Sequence, residues 1–309
     1  MAVRVSVKIH LRVCLRGALL ALAWLSPGGA ALAADAPGTV LEEHFALPVS
    51  VRDIYGKEVS QPITVTVFRD ASRARAPFLV LNHGRAGQAA ERAKLGRARY
   101  SDNARWFVSQ GFAVFVPTRV GYGVSGGEDV EYSGTCQHRM YGPTFEAAVQ
   151  QTLAVMAHAR TQPWVDPDRG VIAGQSYGGT TAVAMAAIEA PGVLATINFA
   201  GGGGGDPVGR PEQPCREDQL RALYAEYGAT ARRPVLWLYS ENDRYWGREL
   251  PHAWFKAWSA RGGKGEFVQL PPSGSDGHGS FTRSPAHWKP AVEAFLRGLG
   301  FAATDRRND

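Results

Sequence analysis

The chain has 309 residues, of which 45% are hydrophobic and 20% charged, with a formal net charge of +6. Such a balance belongs to a globular protein and excludes a disordered tail or a multi-span membrane protein. The length allows one large core or two modest ones, and the positive charge bears on a polyanion partner only if it is clustered.

Residues 1–33 hold a large share of that charge. They carry Arg4, Lys8, Arg12 and Arg16 and no acid, followed by an apolar run from Gly17 to Leu25. This run is much shorter than the roughly 20 residues of a membrane-spanning helix. Ser26, Pro27, Gly28 and Gly29 come next, then the small-x-small pattern Ala31-Leu32-Ala33. The order of basic, apolar and small segments predicts a secretory signal peptide cleaved after Ala33. The protein is therefore expected to be exported, periplasmic or secreted, with no stable membrane insertion after cleavage. Without its four basic residues the remainder balances near +2, which removes the case for a nucleic-acid partner. Cys14 leaves with the leader. Cys136 and Cys215 remain, and in an oxidising compartment a disulfide between them is expected. Their wide separation has no zinc-site character, and no metal is expected.

Residues 34–309 read as a single domain. Short β-rich runs at Ile63 to Phe68, Pro77 to Asn82, Phe112 to Pro117, Gly170 to Ala173, Ala195 to Phe199, Pro234 to Tyr239 and Glu266 to Leu270 predict strands. Between or after them, 101–110, 144–160, 177–190, 217–227, 250–261 and 287–299 predict helices. This alternation is that of an α/β protein with a mostly parallel sheet covered by helices on both faces. In the second helix Phe145, Ala148, Val149, Thr152, Leu153, Val155 and Met156 form a stripe at helical spacing, a core-facing surface. Two glycine-rich stretches, 118–143 and 201–232, exceed ordinary connectors and are candidate lid or loop insertions. Both leave the carboxyl ends of strands, where open α/β sheets bind ligands.

The strand Gly170 to Ala173 runs into Gly174-Gln175-Ser176-Tyr177-Gly178-Gly179 and then a helix. A G-x-S-x-G turn between strand and helix strains the serine backbone and lifts its hydroxyl above the sheet, with glycines permitting the close approach. Ser176 is the candidate nucleophile. The N–H of Tyr177, at the positive end of the helix, is a candidate oxyanion donor. A serine needs a base and the base an orienting acid. After Tyr239 comes Ser240-Glu241-Asn242-Asp243, and after Leu270 comes a loop holding His278 between Gly277 and Gly279. The chain order serine, acid, histidine selects His278 as base and Asp243 as acid, with Glu241 a secondary or solvated carboxylate. A second oxyanion donor is expected from the N–H of Arg85, after Asn82-His83-Gly84 at another strand end. His83 reads as a structural group bonded within its loop, and the Arg85 guanidinium as a solvated charge. Tyr122 and Trp246 are candidate wall residues of the substrate pocket.

Together these motifs resemble the α/β-hydrolase superfamily, and within it the dienelactone-hydrolase-like branch, over about residues 60 to 300. Arg119-Val120-Gly121-Tyr122-Gly123-Val124-Ser125 is similar to the Arg-Gly-Tyr-Gly-x-Ser run of many such hydrolases. The resemblance implies a central sheet of about eight strands and a serine hydrolase needing no cofactor. Dienelactone hydrolases themselves carry cysteine at the elbow, so Ser176 implies no dienelactone substrate. The expected activity is hydrolysis of small-molecule or polymeric carboxylic esters. A peptidase or amidase of the same fold is the alternative, and peptidases of the prolyl oligopeptidase type carry a large additional N-terminal domain for which the segment before the first strand is too short. From another class, a non-catalytic binding protein on this scaffold would have lost a triad member, and none is lost here. Oligomeric state is not legible in the sequence.

Overall fold

The computed structural model describes residues 39–301; the leader expected over 1–33 lies outside them. The first element is strand β1, Val40–Arg52, paired antiparallel along its whole length with β2, Glu58–Asp70. The turn between them is closed by Asp53, whose Oδ1 accepts the N–H groups of Tyr55 and Lys57. No sequence signal announced β1, because apart from the buried Val49 and Val51 its residues are exposed or half-buried and include Glu42, Glu43 and Pro48, as suits a sheet edge.

From there strand and helix alternate: β3 Ala76–Asn82, α1 Ala89–Ala93, α2 Ser101–Ser109, β4 Ala113–Thr118, α3 Tyr141–Arg160, β5 Val165–Gln175 and α4 Tyr177–Ala186. Then follow β6 Val193–Phe199, α5 Glu217–Thr230, β7 Val235–Ser240, α6 Glu249–Ala260, β8 Gly265–Leu270, α7 Ser280–Arg283 and α8 Pro285–Gly298. The eight strands form one sheet in the order β1-β2-β4-β3-β5-β6-β7-β8. β2 also pairs antiparallel with β4, and from β4 to β8 every pairing is parallel. This is the α/β sheet with helices on both faces that the sequence predicts.

The period-2 alternation of the strands divides the core between the faces. Phe78 and Val80 of β3 pack in a cluster with Ala147, Val155 and Met156 of α3 and Met185 of α4. Leu79 and Leu81 turn the other way, to Phe107 of α2 and Trp288, Val292 and Phe295 of α8. At the β7 end an aromatic cluster holds Trp237, Tyr239, Trp246, Trp254 and Trp258 together with Leu220 and Tyr224 of α5. The candidate insertion 201–232 is thus a loop only as far as Arg216, since α5 is a packed core helix. Parallel order brings the carboxyl ends of β3, β4, β5, β6, β7 and β8 to one edge, where all the candidate site residues lie. Among the described residues no helix is long and apolar enough to cross a membrane.

Candidate active site

β5 ends at Gln175 and α4 begins at Tyr177, leaving Ser176 at the junction with φ 55° and ψ −121°. A serine in this region is strained by about 1–3 kcal/mol and persists only where its neighbours dictate it. Here they do: Ser176 N–H donates to Phe199 O at 2.8 Å, and its carbonyl accepts from Gly179 N–H at 2.8 Å and Thr180 N–H at 3.2 Å. The flanking glycines are sterically required. A Cβ on Gly174 would lie 2.1 Å from the Gly178 carbonyl oxygen, and one on Gly178 would lie 2.3 Å from that of Asn82. Packing of strand against helix therefore holds the elbow in the conformation that raises Ser176.

His278 and Asp243 meet above the ends of β8 and β7. The His278 Nδ1 to Asp243 Oδ2 distance is 2.9 Å, and Asp243 is fully buried. The other carboxylate oxygen of Asp243 accepts the N–H groups of Tyr245 at 2.8 Å and Trp246 at 3.3 Å, so both oxygens are occupied and the carboxylate cannot rotate away. The two loops are sewn together. Asp276 Oδ1 accepts from both Arg244 N–H and His278 N–H, Gly277 N–H donates to Asn242 O, and Asn242 Oδ1 accepts Ser273 N–H. Gln175, the residue before Ser176, donates from its amide to the His278 carbonyl at 3.1 Å, tying the histidine loop to the elbow. The Tyr245 ring stacks on the imidazole at 3.9 Å between centroids. With Nδ1 directed to Asp243, Nε2 is left to exchange a proton, and neither it nor the Ser176 hydroxyl is hydrogen-bonded among the described residues. Glu241 lies apart, half-exposed and 3.8 Å from Arg248.

Beneath the loop after β3 lies a buried charge network. Arg119 and Glu131 are both fully buried and paired; burial works against the arginine's charge, and Glu131, with Tyr122 and Tyr177, more than reverses it. Arg119 Nη1 donates to His83 O at 2.8 Å, and its backbone N–H donates to His83 Nε2 at 3.2 Å. His83 Nδ1–H in turn donates to Gly84 O at 2.6 Å. Burial, and then the nearby Arg119 charge, push the His83 pKa well below its usual value, so the ring stays neutral. The loop is thus held by backbone and side-chain bonds on its inner side. Gly84 lets it approach the elbow: a Cβ there would stand 3.2 Å from Ser176 Cβ. The N–H of Arg85 has no acceptor among the described residues, and that of Tyr177, at the first position of α4, has no intrahelical one.

A small cavity of about 110 Å³ opens beside Ser176. Its walls include Arg85, Tyr177, Trp246 and Gly202 to Gly205, and from the long loop after β4, Ser133 and Arg139. The disulfide joins Cys136 to Cys215, with 4.9 Å between Cα atoms, and so links the two long loops that border the cavity. Two expectations are corrected. Tyr122 does not line the cavity: it is buried beneath the loop after β3, edge-on to His83, with its hydroxyl donating to Glu131 at 2.7 Å. The Arg85 guanidinium is not a solvated charge, since both its terminal nitrogens donate to Asp129 at 2.7 Å. Sequence reading missed Tyr245, Gln175, Asp129, Glu131 and Arg139. Only Tyr245 carried a signal, as the aromatic two residues past the acid.

The strand order and the strand–turn–helix at Ser176 are those of the α/β-hydrolase fold. A model of the prolyl oligopeptidase family matches residues 98–197, about a third of the chain. No curated protein matches the sequence. Among solved structures, a protein assigned as a dienelactone hydrolase from Klebsiella pneumoniae superposes with a TM-score of 0.53 at 16% identity, over 85% of this chain and 99% of that one. The acylaminoacyl peptidase of Pyrococcus horikoshii gives 0.59 at 16% identity over 88% of this chain, which spans only 43% of the peptidase. An esterase of Thermogutta terrifontis, solved with butyrate bound, gives 0.52 at 17% identity over 79% and 92% of the two chains.

Proposed function

We propose that the protein is an exported serine esterase that hydrolyses carboxylic esters through an acyl-enzyme. The observation that carries this reading is the 2.9 Å contact between Asp243 and His278 at the sheet edge that also presents the strained Ser176. Ser176 Oγ attacks the ester carbonyl as His278 Nε2 takes its proton. Asp243 holds the imidazole in the Nδ1–H tautomer and stabilises the imidazolium. The negative charge on the carbonyl oxygen is met by the N–H groups of Tyr177 and Arg85. As the tetrahedral intermediate collapses, His278 returns the proton to the leaving alcohol. Water then attacks the acyl-Ser176 ester by the same route and releases the acid. Trp246, whose indole N–H is held by the Ala200 carbonyl at 2.9 Å, is a rigid wall for the bound substrate.

The small recess beside Ser176 favours a short acyl group. Export is supported by the basic, apolar and small-residue order of the first 33 residues and by the Cys136–Cys215 disulfide, which suits an oxidising compartment. The second reading, a serine peptidase, is favoured by the match to the prolyl oligopeptidase family model and the likeness to an acylaminoacyl peptidase. Turnover of p-nitrophenyl esters of increasing chain length, beside peptide p-nitroanilides, separates the two. The esterase reading expects short esters to be cleaved well above any anilide, with at least about a 10³-fold loss in Ser176→Ala. Faster cleavage of the anilides would transfer the assignment to the peptidases.

A further inference from the structure

Asp243, Asp276 and Asn242 fix His278 to the loop after β7, but none of them sets its distance from Ser176. One bond spans that gap. The Gln175 amide donates from Nε2 to the His278 carbonyl at 3.1 Å, and among the described residues no other hydrogen bond joins the histidine loop, 271–279, to the turn 174–179. A carbonyl can only accept, so Nε2 faces His278 and Oε1 is turned to Tyr100, whose hydroxyl lies 3.0 Å away. The phenol must therefore donate to Gln175. It keeps the proton to do so: burial pushes the Tyr100 pKa up to about 12, against the opposing effects of a hydrogen bond from the Gly84 backbone and the Arg119 charge.

Tyr100 is held in place at a cost. It stands one residue ahead of α2 with φ 47° and ψ 45°, in the left-handed region that a tyrosine seldom adopts. Its ring packs edge-on to Phe281, with 5.4 Å between centroids, and three residues further on Asn103 donates from its amide to Phe281 O at 2.7 Å. Phe281 lies in α7, directly after the histidine loop. The start of α2 thus grips the chain on the far side of His278, while the tyrosine hydroxyl orients the amide that holds it from the near side.

We propose that Tyr100 and Gln175 are positioning residues, a hydroxyl-to-amide relay that sets the approach of the His278 imidazole to Ser176. Neither lines the cavity beside Ser176, so the relay acts on the chemical step and not on substrate binding. The role rests on Ser176 as nucleophile and His278 as its base, and it holds for an ester or an amide substrate alike. Gln175→Met keeps the length of the side chain and breaks both bonds. Tyr100→Phe keeps the ring against Phe281 and removes only the bond that orients the amide.

The test is the rate constant for labelling of Ser176 by a fluorophosphonate near neutral pH, which an unfolded fraction of the sample does not alter. It should fall about 10- to 100-fold in Gln175→Met and about three- to tenfold in Tyr100→Phe. Because the two bonds run in series, Tyr100→Phe should add nothing in the Gln175→Met background. With p-nitrophenyl acetate the loss should appear in kcat, with KM unchanged. An unchanged labelling rate in either single variant, or a loss in the double variant equal to the product of the single losses, overturns the relay. No label on Ser176 of the wild type overturns it together with the nucleophile on which it rests. A wild type that is labelled but cleaves no ester contradicts the esterase reading alone, and the labelling rates still decide on the relay.

Discussion

Tyr245 shows how much of the proposed chemistry depends on a residue that carries no proton. Its ring lies nearly parallel to His278 at 3.9 Å, and its backbone N–H holds the Asp243 oxygen that the histidine does not use. Removing the ring leaves the acid–base pair intact but frees the imidazole to tilt. Tyr245→Ala is therefore expected to lower kcat by about 10- to 100-fold, and Tyr245→Phe to stay close to wild type; steady-state turnover of a short ester reads both. His83 makes the opposite point, as a histidine at the site with no proton to exchange near neutrality. Its folded pKa is depressed by burial and Arg119, so the folded state refuses a proton that the unfolded chain accepts below about pH 6.5. The stability it contributes is fully present above that pH and is lost as the pH falls. The melting temperature should decline between pH 7 and 5, and the decline should be shallower in His83→Gln; identical slopes would contradict a neutral, buried His83.

At the scale of elements, the tight turn at Ser176 was legible in the sequence because its glycines are demanded by backbone contacts, and backbone contacts leave few residue choices. The pairing of Asp243 with His278 was legible from their place after β7 and β8. The network under the loop after β3 was not. Asp129 and Glu131 sit in a long irregular stretch, and nothing in their local sequence says that one meets Arg85 and the other Arg119 across 44 and 12 residues. Tyr122 was misread for the same reason: an aromatic in a glycine-rich loop gives no sign of whether it faces solvent or a buried carboxylate. β1 escaped because an edge strand with one face in water lacks the apolar run that marks a central one. The disulfide closes a separation of 79 residues between the two loops that border the cavity. Replacing both cysteines by serine should cost about 2–4 kcal/mol of stability, largely by freeing the unfolded chain. Thermal unfolding of the double variant against the wild type reads it; an unchanged melting temperature would mean that the bridge constrains nothing.

For the whole molecule, the net charge of +6 and the two cysteines of residues 34–309 point the same way. Four basic residues and no acid fall within 1–33, the segment proposed above as an export leader, and a bridge between two loops suits the compartment to which such a leader would direct. Intact-mass measurement of the exported protein should show a chain beginning at Ala34 and lighter by two hydrogens than the reduced form. A chain that retains Met1 to Ala33 would contradict the export reading without touching the site.

The central claim is that Ser176 is a nucleophile activated by His278 and Asp243. Peptide mapping after exposure to a fluorophosphonate tests it directly. A single adduct on Ser176 is expected, formed at least about 10³-fold more slowly in His278→Gln. No adduct on Ser176, or one that forms as fast without His278, would contradict the account.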